Sequence, residues 1–493
     1  MVPFVLLGIA IVYLSILVGG YVCSAKPVII VSVFGALLIS RTEPARGIVV
    51  LVALLPLQGC GPGTFNPLTA FAVTALLCWL LRSYQSGGLG LPTGRLLRWL
   101  ALFASVCAVS LLSRVIPYCL SLDEPLRQFF HEALRAGPQN PLYGIGSVHE
   151  LISAIGVSVF LITTIRGPGP VRRLQEVLLA AHSALLVIGF FEYFGLISLL
   201  WYRPYSAVIA ASSYSHRFTS LFSHPSWYAQ YLVLMCPLIL SHRSLSRGRA
   251  RLVLTTVFGL TVASLILTYQ RGGWISALCA IGCILWLNRS RSAPRTRWSS
   301  VRWGYLCIGV ALAVTVLFRM DHPLSRRLAE VPQNLSGRSN LWLCSWEMFK
   351  ARPFFGHGFN TFAWVYREMF PRTHPLWSEC SDTAHNGYFQ LLAGCGIVGL
   401  IVWIGFVLVC VALGVSASGS VDVTVRTLAR GTLSGVCGFL VYGFVQEFSY
   451  VYALQMIFFL HVASLGILAR QSAPDSESDQ KSSGSRMTPI GGS

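Results

Sequence analysis

Charge is scarce in this sequence and acid scarcer still: 11% of the 493 residues are charged, with 18 Asp and Glu against 37 Lys and Arg. A soluble chain has about a quarter of its residues charged. Water is therefore not the main solvent of this one. The 14 Cys form no cluster with metal-ligand spacing, and Cys279 and Cys283, one helical turn apart in an apolar run, read as small packing residues. No Asp-x-Asp stands in the long polar segments. Asp321, Glu330, Glu368, Glu379 and Asp382 make no spaced pair suited to a divalent ion, so neither metal nor cofactor is expected. Repeated ionisable residues are lacking within the apolar runs, which speaks against a proton-coupled pump. No Lys or Arg precedes the first apolar run and no small-x-small pattern closes it, so it reads as a retained span rather than a cleaved signal.

What is abundant is hydrophobicity, at 54% of residues. A span needs about 20 mostly apolar residues, and such stretches lie near 3–22, 27–40, 47–58, 66–81, 97–116, 149–165, 174–200, 227–241, 252–269, 273–288, 303–318, 391–413, 431–446 and 451–469. The second and third are short, so an all-α polytopic membrane protein with 12–14 transmembrane helices is expected. The net charge of +19 would suggest nucleic acid in a soluble protein, but its distribution points elsewhere. Under alternating topology the loops 41–46, 82–98, 166–173, 243–251 and 289–302 fall on one side and hold 17 Arg against the single acid Glu43. Basic residues resist translocation, so this side is cytoplasmic and the partners are membrane lipids, not nucleic acid. The expected organisation is an N-terminal bundle over 1–318, an exoplasmic loop over 319–390, C-terminal helices over 391–470 and a disordered cytoplasmic tail over 471–493.

Polar chemistry is concentrated in the exoplasmic segments 201–226 and Arg319 to Gln390. The second is too long for an idle connection. Ser339 or Asn340 is placed to cap a helix through Leu341, Trp342, Trp346 and Phe349 that stops at Pro353, before a turn at Gly356-His357-Gly358. Aromatics recur at Phe359, Phe362, Trp364, Tyr366, Phe370 and Trp377, among Arg367, Arg372 and His374. They suit either a sugar-binding platform or a membrane-interface belt, and both readings stand. Cys344 and Cys380 share the loop, where a disulfide is conceivable. The loop ends at Asp382-Thr383-Ala384-His385-Asn386 and passes straight into an apolar run, which sets His385 at a helix N-terminus. The helix dipole there disfavours a second proton on imidazole and leaves it able to act as a base. The bland alternative is a surface histidine near a cap. Asp382 could orient it or simply complement the dipole. Arg271 and Arg217 lie on the same exoplasmic side at the ends of apolar runs, either as snorkelling and loop arginines or as a forked clamp for an anion such as a diphosphate.

These residues resemble the O-antigen ligase and polysaccharide polymerase family of bacterial envelope enzymes. His385-Asn386, nine residues, then Gly396-x-x-Gly399 matches the ligase pattern; Leu400 departs from the Gly, Thr or Val usual there. Arg338, Trp342 and Trp346 with Pro353-Phe354-Phe355-Gly356-His357-Gly358 resemble the segment before the family's histidine. Arg271-Gly272-Gly273-Trp274 and Arg217 with His224-Pro225-Ser226 resemble its two arginine elements. The resemblance implies a metal-independent inverting glycosyltransferase in the bacterial inner membrane, with its active site on the periplasmic face. A glycan would pass from a polyprenyl diphosphate carrier to a hydroxyl of a glycan, lipid or protein acceptor. His385 would be the base, Arg217 and Arg271 the diphosphate ligands, and Arg338, Asp382 and Asn386 supporting residues.

A polysaccharide polymerase and an O-linked protein glycosyltransferase are the alternatives within that family. A flippase of lipid-linked sugars is the alternative outside it, favoured by span number alone. The charge sorting makes a direct prediction. In intact spheroplasts of a cysteine-free background, external thiol reagents label cysteines introduced in 320–384 and not those in 289–302; labelling of both, or of the second set alone, rejects the orientation.

Overall fold

The computed structural model describes residues 35–37, 39–40, 43–55, 67–86, 94–121, 140, 142–197, 217–222, 224–289, 331–376, 382–448 and 451–472. Among them thirteen helices follow one another. The first five are α1 Pro44–Leu54, α2 Pro67–Gln85, α3 Arg95–Leu120, α4 Tyr143–Thr164 and α5 Pro168–Tyr193. Next come α6 Pro225–Leu245, α7 Gly248–Leu267, α8 Arg271–Leu287, α9 Val331–Ala351 and α10 Phe362–Met369. The last three are α11 Gly387–Ser418, α12 Val423–Tyr442 and α13 Tyr452–Arg470. Six of these, α3, α4, α5, α7, α11 and α13, are long and apolar enough to cross a membrane, and α1 and α8 are shorter apolar helices. The chain is an all-α polytopic membrane protein. The expected runs 3–22 and 303–318, most of 27–40, residues 201–216 and the tail beyond 472 lie outside the described residues.

Helix ends follow local chemistry more closely than hydropathy does. The run expected at 174–200 is a helix over Pro168–Tyr193: Pro168 and Gly167 (φ 80°) start it early, and Gly195 (φ 73°) ends it. Arg172, expected in a loop, lies inside α5 and pairs with Glu176 at 2.8 Å. Ser339 and Asn340 are not caps either, because α9 is already helical from Val331.

α6 sits at the centre, enclosed by α7, α8 and α12, while α13 is buried from Tyr452 to Leu468. Gly431, Gly435 and Gly438 let α12 close on α6 and α8; side chains there would press on Ser241, the Leu234 carbonyl and Ala280. Isolated polar side chains do occur among these helices. They are paired: His182 lies 3.0 Å from Tyr231 Oη and 2.9 Å from Thr261 Oγ1, and His242 lies 2.9 Å from Gln175 Oε1.

The polar segment before α11 has a small core of its own, in which Leu341, Cys344 and Met348 meet Phe362, Val365, Tyr366 and Phe370. Three aromatics expected to face sugar or lipid are thus the loop's packing residues. Cys344 is buried as a thiol, and Cys380 and Trp377 lie outside the described residues. Trp364 instead faces α3, where the Arg114 guanidinium stands 4.4 Å over its ring and bonds to Glu368.

The loop is anchored by a splice into α11. Gly396 adopts φ 65° and ψ −165°, a conformation essentially reserved for glycine, and it breaks the helix. The segment 353–358 fills the break. Ahead of it, the Ala393 carbonyl accepts from His357 N–H (3.0 Å), and the Gly394 carbonyl from Gly358 N–H (2.8 Å) and Ser110 Oγ (2.7 Å). Beyond it, Ile397 and Val398 N–H donate to the carbonyls of Pro353 (2.8 Å) and Phe354 (3.2 Å). Each backbone group released by the break is taken up again. Gly356 and Gly394 touch so closely that a Cβ on Gly356 would overlap the Gly394 carbonyl.

Gly396→Ala forces a side chain into that conformation and onto the Phe354 carbonyl, a strain of about 1–3 kcal/mol from the backbone alone. The variant should unfold several degrees below wild type in a detergent melting assay. Gly259→Ala, at a helical position with open space around it, should melt at or above the wild-type temperature.

Candidate active site

His385 lies one residue before the cap of α11, with φ 48°, rather than in the helix itself. Asn386 is the cap: its Oδ1 accepts from Tyr388 N–H (3.0 Å) and Phe389 N–H (3.1 Å), and its Nδ2 donates to the Phe444 carbonyl (3.0 Å). Gly387 N–H bonds to the carbonyls of Gly443 (2.8 Å) and Gln446 (3.0 Å). The link between α12 and α13 is thereby sewn to the start of α11, and it brings Glu447 to the histidine.

Glu447 is 3% exposed, with Oε2 3.9 Å from His385 Nδ1, whose side chain is 35% exposed. Thr383 Oγ1 stands between them, 3.4 Å from each. Gln446 Nε2 (2.6 Å) and Trp227 Nε1 (3.3 Å) donate to the other carboxylate oxygen. Burial raises the Glu447 pKa, and those hydrogen bonds act against the rise. The carboxylate and hydroxyl on the Nδ1 side of His385 favour the proton there, which leaves Nε2 as the lone-pair nitrogen. Asp382, offered by the sequence as the orienting acid, is exposed; the acid set against His385 is Glu447.

Burial holds the His385 imidazole down at about 4, and the positive charge of Arg338 pushes the same way. The expected direction is found, with enclosure rather than the helix dipole as its leading cause. Arg338 is a partly buried residue of α9. A second imidazole, His224, caps α6: its Nδ1 accepts from Ser226 N–H (3.2 Å) and lies 2.6 Å from Ser226 Oγ. That bonding assigns its proton to Nε2, the opposite tautomer to His385. Burial, then the charges of His385 and Arg217, hold it near 3, so it too is neutral at pH 7. Its ring packs 5.6 Å from Trp227, the indole that bonds to Glu447.

Arg217 and Arg271 border this cluster. Phe218 N–H donates to the Leu267 carbonyl (3.0 Å), which seats the Arg217 segment on the end of α7, just ahead of Arg271. Arg271 opens α8, and the neighbouring Gly272 leaves no room for a side chain against Val445 and Tyr442, beside the link that carries Glu447. The structure therefore gathers His385, Arg338, Arg217 and Arg271 at one end of the bundle, with Asn386 holding the backbone. Among the described residues no group of three or more His, Cys, Asp or Glu is arranged to hold a metal ion.

Residues 256–404 match the family model described as O-antigen ligase. Over that range the chain is similar to the O-antigen ligase family. Comparison with curated proteins returns no match. The matched segment runs from within α7 to the middle of α11 and contains Arg271, Arg338, His385, Asn386 and both halves of the splice. The match supports a glycan-transfer role in surface polysaccharide assembly.

Arg217, His224 and Glu447 lie outside the matched range. His224 stands in the motif next to Arg217, but nothing in the sequence alone gave it a role. Glu447 could have been found as an acid in a very short link on the same side as Arg217, Arg271 and His385. Glu447→Gln keeps the shape of the side chain and removes its charge. Glycan transfer should fall about 10²-fold with KM nearly unchanged, and Glu447→Asp should recover part of the loss; wild-type turnover in the Gln variant rules out a role for this acid.

Proposed function

We propose that the O-antigen ligase domain and the residues packed on it transfer a glycan from a polyprenyl diphosphate carrier to an acceptor hydroxyl by one inverting displacement at the anomeric carbon, with no metal ion. The observation that carries this reading is the placement of a neutral, partly exposed imidazole against a buried carboxylate, with three arginines at the same end of the bundle. In the displacement the acceptor oxygen attacks the anomeric carbon as the bond to the diphosphate oxygen breaks. The hydroxyl proton goes to His385 Nε2, and the bonding electrons leave with the polyprenyl diphosphate.

Glu447 faces Nδ1, where the imidazolium's charge develops, and Thr383 holds the ring's orientation. Arg217 and Arg271 bind the diphosphate and stabilise its growing charge, a task suited to a planar fork of donors. The N–H of His224 Nε2 is an additional uncharged donor for the same anion. Arg338 lowers the basicity of His385 before the donor binds. A bound diphosphate offsets that positive charge and raises the imidazole's pKa when a base is needed.

The test is transfer from a defined polyprenyl diphosphate glycan in reconstituted membranes. His385→Ala should lose about 10²–10⁴-fold of the rate at unchanged protein abundance, whereas wild-type transfer by this variant rejects the mechanism. The pH dependence has a definite sign. His385 is neutral above its folded pKa and protonated below it, so activity is present at neutral pH and lost on acidification. In the free enzyme, read by kcat/KM, that loss should centre near the folded value of about 4 rather than at the ordinary 6.5. With donor bound, read by kcat, it should lie at higher pH.

A further inference from the structure

The loop's buried aromatics form its core, but another set faces outward. Leu343 (50% exposed) and Trp346 (44%) lie on the outer side of α9, and Phe354 (67%) and Phe355 (45%) follow in the splice segment. Four large apolar side chains presented together call for a partner.

Their position supplies it. The Pro353 and Phe354 carbonyls accept from Ile397 and Val398 N–H, which open the second limb of α11. From Ile397 to Ser418 that limb is about 33 Å long at 1.5 Å per residue, close to the thickness of the hydrocarbon layer. Its outward stripe, Ile401, Ile404 and Leu408, is 47–63% exposed, as lipid-facing residues of a span are. Phe354 and Phe355, also exposed, sit at the start of this limb, where the backbone of 353–354 bonds to Ile397 and Val398. Exposed Arg352 stands next to the two rings with charge of the sign that phosphate head groups attract, while neighbouring Lys350 pairs with Glu347 at 2.8 Å.

We propose that Leu343, Trp346, Phe354 and Phe355 are seated in the lipid leaflet at the edge of the α11 limb, so that the splice segment is a membrane-inserted support and not part of a water-exposed loop. The occupant is bilayer phospholipid: acyl chains against the rings, head groups against Arg352. The inference rests on exposure and continuity with α11, and it holds whether or not His385 is the base.

The experiment uses the full chain in phospholipid nanodiscs, with an environment-sensitive fluorescent amino acid replacing Phe354 or, separately, Trp346. Leu408 serves as the lipid-facing reference and Val421, 95% exposed in the short link between α11 and α12, as the aqueous one. Lipids brominated on their acyl chains should remove most of the emission at 354 and 346, as at 408, while aqueous iodide quenches only at 421. Quenching by iodide at 354 and 346 overturns the proposal. So does protection from both quenchers, which would mean that other residues of the chain cover this edge.

Discussion

The break in α11 is the constraint on which the rest of the site depends. A continuous helix through Gly396 would satisfy its own backbone and leave no place for the segment 353–358. With the break, two carbonyls and two N–H groups are released within an apolar bundle, where unpaired backbone groups are costly. The splice segment satisfies all four. Loop and span thus become one unit, and α9, with Arg338, is held against the limb that begins beside His385. The glycines at 356, 394 and 396 are required because backbone meets backbone there.

A second fastening acts on the other side of the histidine. Asn386 and Gly387 are bonded to the α12–α13 link, and that link carries Glu447. The site is therefore assembled from distant parts of the chain: α6 brings His224 and Trp227, the link brings Glu447, and the start of α11 brings His385. Low polarity around them keeps both imidazoles neutral. The same enclosure would strengthen each interaction with the diphosphate donor proposed for the site.

Much of this was legible in the sequence. Apolar runs and sorted arginines fix an all-α membrane protein, because the bilayer imposes length and charge rules that act locally. His385, Arg217 and Arg271 stood out for the same reason, as polar residues at the ends of apolar runs. Glu447 was not legible as a partner of His385: their approach depends on the packing of α11 against α12, which no local pattern encodes. Helix ends shifted where proline and glycine outweigh hydropathy, as at Pro168. The aromatics of α10 were misread because a helix as short as Phe362–Met369 buries one face in its own loop, and composition alone does not say which face is covered.

The account stands on a single displacement in which His385 takes the acceptor's proton as the diphosphate departs. The configuration of the new glycosidic bond tests this most directly, because one displacement inverts the anomeric centre and a route through a covalent glycosyl-enzyme restores it. NMR of the product formed from a donor of known α-configuration should show a β-linkage. An α-linked product would contradict the mechanism.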